Sequence, residues 1–495
     1  MASPEIQKYL EKLKKLNIET KAFINGQYQK NHQQSFACLR PMDGQLITEV
    51  TQTSQEQVHQ AVASAKQAFY SGVWSQAQAT HRKNILMQWA SLLEKHAEEI
   101  ILLESLDSGK LLTDIKNIDF PASVEYLRWF AELCDKINNQ QIPVEPNLLA
   151  LVAREPIGVV GAIIPWNYPL LMAMWKIAPA LAAGNSVILK PSEKSPLSAI
   201  RMASLAKAAG IPDGVFQVLP GDGVVGGYLS RHPEVDCISF TGSTKTGKQI
   251  LKDSAETNLK KVWLELGGKS AQVILKDYKN LNHVAETVAQ TIFSNAGQVC
   301  DAGSRVVIHR SIKEQFVDLL LPIAKTYQPK HPFDPRAKMG PVIDEKQMKN
   351  ILYDIEKAKR ESSLILGGQQ TLIDTGGFYI EPTIFDCPHS ELYHTQKEIF
   401  GPVLSIISFD DIDEAIAIAN STTYGLAAGI WSDSFKNIYE ISKKIQVGTV
   451  WGNCYDACGN LNLPFGGFKQ SGNSKDKSIQ AYYKYTELKN IVIEL

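Results

Sequence analysis

Apolar positions at helical spacing dominate the start of this chain, and short apolar runs bounded by glycine and proline dominate its middle. Over 54–135, residues such as Ile85, Trp89, Leu92 and Leu93 recur three and four apart, which predicts helices. From 157 the pattern changes. A buried strand is predicted at 159–164, a helix at 170–183 closed by Gly184, and a strand at 187–190. A helix at 196–209, stopped by Gly210 and Pro212, precedes strands at 215–219 and 237–240. The C-terminal half repeats the alternation: strand 403–409, helix 413–419, strand 426–431, helix 436–445 and strand 448–451. Such alternation predicts an α/β protein with two parallel sheets covered by helices on both faces. Ligands then bind beyond the carboxyl ends of the strands. Segment 138–154 interrupts the pattern and reads as a hairpin arm, with Pro143 and Pro146 near its turn.

Composition narrows the function classes. The chain has 495 residues, 44% hydrophobic and 21% charged, with a formal net charge of −1. That is the balance of a globular protein, and nothing global attracts nucleic acid or an anionic membrane. Lys8, Lys12, Lys14 and Lys15 alternate with Glu5, Glu11 and Glu19, which reads as a solvated helix face. No apolar run reaches the ~20 residues of a membrane span, and the start lacks the apolar stretch of a signal peptide. The seven cysteines (Cys38, Cys134, Cys237, Cys300, Cys387, Cys454, Cys458) are far apart, so a reducing cytoplasm is expected. Cys454 and Cys458 lack zinc-ligand spacing, and no metal is expected.

Several motifs could carry chemistry, each weakly on its own. Asn167, in Pro165-Trp166-Asn167, follows a buried strand, where an amide can face a developing oxyanion or merely cap a turn. Glu193, in Lys190-Pro191-Ser192-Glu193, is placed to accept from ribose hydroxyls, or to form a surface ion pair. Two glycine-rich loops follow strands. The run 221–226 (GDGVVG) fits GxGxxG, a weak signal by itself. The run 240–247 (FTGSTKTG), with Gly242 and Ser243, opens a helix whose N-terminus suits a pyrophosphate, and is the preferred site. Glu265, before Gly267 and Gly268, is expected on an exposed turn, free to act as a base. Cys300, after Gly297-Gln298-Val299, sits in what reads as a flexible polar loop, unlike a packed structural cysteine. Glu398 and Phe400 precede a strand and could flank a planar ring and its ribose.

Together with 466–472 (GGFKQSG), these motifs resemble the aldehyde dehydrogenase superfamily in order and spacing, from about Phe23 to the C-terminus. The finer likeness is to the bacterial γ-glutamyl-γ-aminobutyraldehyde and guanidinobutyraldehyde branch. It rests on 190–201 (KPSEKSPLSAIR), 261–270 (KVWLELGGKS), 469–477 (KQSGNSKDK) and 485–489 (YTELK).

The resemblance implies a role for each site residue. Cys300 would be the nucleophile, Asn167 with the Cys300 backbone N–H the oxyanion donors, and Glu265 the base that activates water. Lys176 matches a lysine that relays protons to Glu265. Lys190 and Glu193 match adenosine-ribose contacts, so NAD is favoured over NADP. Trp166 and Ser243 match the pyrophosphate region, Glu398 the nicotinamide ribose, and Phe400 the ring. The implied fold is two doubly wound parallel-sheet domains plus a β-arm. In this division 1–137 and 157–267 bind NAD and 268–479 is catalytic. Segments 138–156 and 480–495 form an oligomerisation arm that pairs between subunits in a homodimer or homotetramer.

Departures bear on the substrate. Asp301 follows the nucleophile, where it could attract a cationic aldehyde and also raise the thiol pKa. Asp119 matches an acid that lines the substrate tunnel of aminoaldehyde enzymes, whereas Lys116 would repel an amine; Trp451 belongs to the tunnel mouth. The expected substrate is an ω-aminoaldehyde or its γ-glutamyl derivative, as in polyamine catabolism. Betaine aldehyde or a simple aliphatic aldehyde is the alternative. Acyl-CoA formation and a non-enzymatic binding role are the rival classes, against which Glu265 and the retained Cys300 and Asn167 argue.

Overall fold

The computed structural model describes residues 4–30 and 34–495. The first part is helical: Gln55–Tyr70, Ala79–Lys95, Ala97–Ser108 and Phe120–Leu133. A capping box opens the first of these. The Ser54 side chain accepts from the Gln57 N–H, and the Gln57 side chain accepts from the Ser54 N–H. A π-helical turn spans Ile115–Asp119, a geometry frequent at functional sites. The lysine-rich start forms helix Pro4–Leu13, which buries Ile6, pairs Lys12 with Glu98 and leaves Lys8 exposed.

Two seven-stranded sheets carry the site. Five strands of the first run parallel: Lys261–Leu266, Cys237–Gly242, Val159–Ile163, Ser186–Lys190 and Phe216–Val218. The second orders Thr383–Cys387, Val403–Phe409, Arg305–His309, Ala271–Ile274, Ala427–Trp431 and Thr449–Gly452 in parallel. Neither sheet is purely parallel. Phe23–Ile24 and Gln27–Tyr28 close the first edge antiparallel, and Ser363–Leu366 closes the second. Two-residue edge strands are too short to show a period of two, so pattern reading misses them.

Burial explains the unbroken apolar runs. All five residues of Val159–Ile163 and of Ser186–Lys190 are buried, as a sheet covered on both faces requires. Helix Pro169–Ala182 is buried on nearly every side and brings Lys176 into the interior. The arm is a hairpin of Gln140–Ile142 and Leu148–Pro156, extended by Thr486–Glu494. That last strand pairs with Leu148–Pro156 of its own chain at nine positions, Thr486 opposite Pro156 through Glu494 opposite Leu148. This ladder is intramolecular, and the sheet's two edges are Thr486–Glu494 and Gln140–Ile142. Among the described residues no helix is long and apolar enough to cross a membrane.

Candidate active site

Parallel strands gather the chemistry at one end. Val159–Ile163 leads to Trp166 and Asn167, Ser186–Lys190 to Glu193, and Cys237–Gly242 to Ser243. In the register of the sheet Glu265 lies beside Thr241, one residue before the strand ends.

The cysteine loop is held rather than flexible. Asn295, Ala296 and Gly297 are successively left-handed, with φ of 48°, 52° and 71°. A Cβ on Gly297 would lie 2.1 Å from the Gly401 carbonyl oxygen, so only glycine fits. Gln298 locks the turn: its Nε2 donates to the Asn295 carbonyl at 2.9 Å and its Oε1 accepts from the Ile343 N–H at 2.8 Å. Composition makes such a loop look mobile; one buried side chain fixes it. Asn167 Nδ2 donates to the Gln298 carbonyl at 2.9 Å, and Asn295 Nδ2 donates to the Asn167 carbonyl at 3.2 Å. The strand end and the cysteine loop are thereby tied together. The Asn167 amide keeps a second N–H for another acceptor.

Cys300 is half-buried. Burial pushes its thiol well above the ordinary range, and Glu265, Asp301 and Glu398 add repulsion against a thiolate. Glu265 differs from expectation: it is 1% exposed at a strand end, not on an exposed turn. Both its carboxyl oxygens lack a hydrogen-bond partner among the described residues. Burial raises its pKa well above the carboxylate range, Lys176 opposes the shift, and Asp476, Asp301 and Glu398 reinforce it. Among the described residues Lys176 makes no direct hydrogen bond to Glu265 and acts on it through charge. Its ammonium donates to Asp476, which also accepts from Lys484. Asp476 was not anticipated; a carboxyl between two lysines from distant segments has no local sequence signal.

The residues expected to cradle the coenzyme stand at strand ends of the first sheet and just before Val403–Phe409 of the second. The Lys190 ammonium, buried, lies 3.6 Å from the half-exposed Glu193 carboxylate. Ser243 caps helix Thr244–Glu256, accepting from the Thr246 N–H at 3.3 Å, and Gly242 ends the strand before it. Glu398 accepts from the Gly268 N–H at 3.0 Å and is pushed up to about 7 by burial, against that hydrogen bond and Lys269. A Cβ on Gly267 would come within 2.0 Å of the Glu398 carboxyl, so the glycine lets the acid approach. Phe400, with φ 56°, sets its ring edge-on to Trp166 at 5.3 Å. A half-exposed carboxylate beside a lysine, a helix N-terminus and a second, held carboxyl are groups that suit the ribose hydroxyls and pyrophosphate of a dinucleotide. The GxGxxG run is accounted for otherwise: Asp222 caps helix Gly223–Arg231 through the Val224 N–H.

Cys300 packs against the apolar core of the N-terminal half. Tyr168, Trp175, Leu461 and Phe465 share one apolar cluster with Cys300. The Tyr455 hydroxyl donates to the Asp301 carbonyl at 2.6 Å, and half-buried Trp451 packs on Tyr455 with ring centres 4.6 Å apart and planes tilted by 44°. Two expected acids are altered by their surroundings. Asp119 is 1% exposed and paired with Lys110 at 2.5 Å. Asp301 is only 7% exposed, and burial raises its pKa with Asp456 reinforcing, so its charge is weakened near neutral pH. Sequence reasoning also passed over Glu104 and Asp107. Glu104 accepts from the Leu170 N–H at 3.1 Å and Asp107 from the Leu197 N–H at 2.9 Å, anchoring the helices behind Asn167 and Glu193.

The fold and this cradle define an NAD(P)-dependent oxidoreductase. The aldehyde dehydrogenase family model matches residues 28–491, and the chain belongs to that family. Its activity is accordingly that of an NAD(P)-dependent aldehyde dehydrogenase. The chain is 42% identical over 487 residues to the NADP/NAD-dependent aldehyde dehydrogenase PuuC of Escherichia coli, covering 98% of each. It is 43% identical to the aminoacetaldehyde dehydrogenase of Pseudomonas aeruginosa, covering 97% of this chain and 96% of the other. The crystal structure of γ-glutamyl-γ-aminobutyraldehyde dehydrogenase from Burkholderia cenocepacia superposes with a TM-score of 0.97, at 48% identity and 99% coverage of both chains.

Proposed function

We propose that the chain oxidises an ω-aminoaldehyde, or its γ-glutamyl derivative, through a thioester on Cys300. One observation carries the mechanism. The Glu265 carboxyl, buried and without a hydrogen-bond partner among the described residues, lies within electrostatic reach of half-buried Cys300, whose loop is tied to Asn167. Cys300 Sγ attacks the carbonyl carbon once its proton has left. The spare Asn167 N–H and the Cys300 backbone N–H receive the oxyanion, pre-aimed donors in a dry site. When bound, the dinucleotide supplies the acceptor for the hydride leaving the hemithioacetal carbon. Glu265 then takes a proton from the water that cleaves the thioester. Lys176, anchored by Asp476, acts on Glu265 as a positive charge that favours its base form.

Lys190, Glu193, Trp166, Gly242, Ser243, Glu398 and Phe400 hold the coenzyme. The half-exposed Glu193 carboxylate repels a 2′-phosphate, which favours NAD over NADP. Segments 1–137 and 157–267 serve coenzyme binding and 268–479 catalysis. The sheet of 138–156 and 480–495 serves a homodimer or homotetramer, supported by exposed Leu488, Val492 and Ile493 on its outer strand. Seven free cysteines suit a reducing cytoplasm. The substrate class draws on the names of the relatives above and on the acids near Cys300.

The test is NADH formation from 4-aminobutyraldehyde, its γ-glutamyl derivative and hexanal, comparing wild type with Cys300→Ala. Activity that vanishes in the variant, with higher kcat/KM for the two amine-bearing aldehydes, is expected. Activity that survives Cys300→Ala refutes the nucleophile; a preference for hexanal refutes the substrate class.

A further inference from the structure

One ion pair joins the elements that carry Trp166 and Phe400. Lys194 stands just past strand Ser186–Lys190 of the first sheet, next to Glu193. Its ammonium lies 2.6 Å from the Asp344 carboxylate, with the two side chains 23% and 26% exposed. Asp344 belongs to the side of the second sheet. It caps helix Glu345–Ala358 by accepting from the Gln347 N–H at 2.7 Å. Ile351 and Ile355 of that helix are buried in the core built around the second sheet.

The pair closes a circuit of contacts. The Lys194 ammonium also faces the Trp166 ring, 5.2 Å from its centre. The Ser195 hydroxyl donates to the Trp166 carbonyl at 3.1 Å, so the turn that carries Lys194 also holds the Trp166 backbone. From the other side, Gln347 Nε2 donates to the Phe400 carbonyl at 2.9 Å. Phe400 then returns to Trp166, edge-on at 5.3 Å. Phe400 is left-handed, and such a backbone persists in a non-glycine residue where its surroundings hold it. The Gln347 bond is one such restraint.

A solvated ion pair ordinarily contributes little, because two long side chains must be ordered in water. Here Asp344 is short and already fixed by its cap, and Lys194 is held between Asp344 and Trp166. The Asn167 and Asn295 bonds fasten the buried cysteine loop, and the Lys194 pair fastens the same two sides nearer the surface. We propose that Lys194 is a coenzyme-positioning residue: by bridging to Asp344 it fixes the spacing of Trp166 and Phe400, and with it the affinity for the dinucleotide. This rests on the assignment of Trp166 and Phe400 to the coenzyme above.

The experiment measures the Kd for NADH by fluorescence titration, with no aldehyde present. It compares wild type, Lys194→Met, Lys194→Arg, Asp344→Asn, the double variant Lys194→Met/Asp344→Asn, and Trp166→Leu. Asp344→Asn keeps an oxygen for the Gln347 N–H and removes the charge. Lys194→Met and Asp344→Asn are each expected to raise Kd by about three- to tenfold, and the double variant no further than either. Lys194→Arg recovers most of the affinity. A loss in Lys194→Met without one in Asp344→Asn means that the lysine acts on the dinucleotide directly, which overturns the bridge. An unchanged Kd in both, with a raised Kd in Trp166→Leu, overturns the bridge and leaves the coenzyme assignment standing. An unchanged Kd in Trp166→Leu as well overturns both.

Discussion

Asp476→Asn isolates the buried charge triad behind Glu265. The Asp476 side chain is 0% exposed and lies between Lys176 and Lys484, both buried. Burial opposes its ionisation, but Lys176 and Lys484 outweigh burial and hold it below the usual carboxylate range. A depressed acid contributes its stabilisation above the unfolded value, and that contribution is lost only as pH falls through the folded value. It is therefore fully present at neutral pH. The amide leaves two ammonium groups in the interior without a counter-charge, which costs about 3–5 kcal/mol. Unfolding entropy of roughly 2.1 cal/mol/K per residue over 495 residues is about 1 kcal/mol/K, so the loss corresponds to about 3–5 °C in Tm. Scanning calorimetry of the coenzyme-free protein reads this shift. A second signature separates charge from packing. Lys484 is already pushed down to about 8 by burial, with Asp476 opposing, and the variant removes that opposition. Raising the pH discharges the lysine and relieves the penalty, so the Tm gap to wild type narrows from pH 7 to pH 9. A Tm within about 1 °C of wild type at pH 7, or a gap that widens with pH, would refute the triad as a charge device.

Two further perturbations test the site. The raised Glu265 pKa means that its base form grows as pH rises, so thioester hydrolysis accelerates with pH. Glu265→Gln removes that rise and lowers steady-state kcat by about 10²- to 10⁴-fold. The first-turnover NADH burst persists in stopped-flow, and a variant with near-wild-type steady-state turnover would contradict the assignment. Gly267→Ala places a Cβ within 2.0 Å of the Glu398 carboxyl and displaces it. We expect kcat/KM for NAD⁺ to fall by about 10- to 100-fold in initial-rate kinetics with aldehyde saturating; a change below twofold would detach Glu398 from the coenzyme.

The candidate site residues lie in short contiguous motifs, which is why they could be picked out of the sequence. Cys300, Asn167, Glu193 and Ser243 each stand at a strand or loop end that alternating apolar runs locate to within a few residues. Their surroundings were not legible. Glu265 looks solvent-exposed because two glycines follow it, yet the segment around Ser471 and Gly472 covers it: the Leu266 N–H donates to the Ser471 carbonyl at 2.9 Å. Nothing in the pattern around Asp119 shows that Lys110, nine residues earlier, folds back on it. Gln298 looks like filler, though it locks the cysteine turn.

The sequence by itself determined the order of strands and helices, because burial on both faces of a sheet requires unbroken apolar runs and helices need their own spacing. It also determined which side chains can do chemistry, since nucleophile, amide and carboxyl are fixed by residue type. Only the tertiary structure decided which of them are charged and what they face. Ionisation depends on burial and on partners from distant segments, as with Lys176, Asp476 and Lys484. The intramolecular pairing of Thr486–Glu494 with the arm belongs to the same category. Each joins residues far apart in the chain, and no local period records such a meeting.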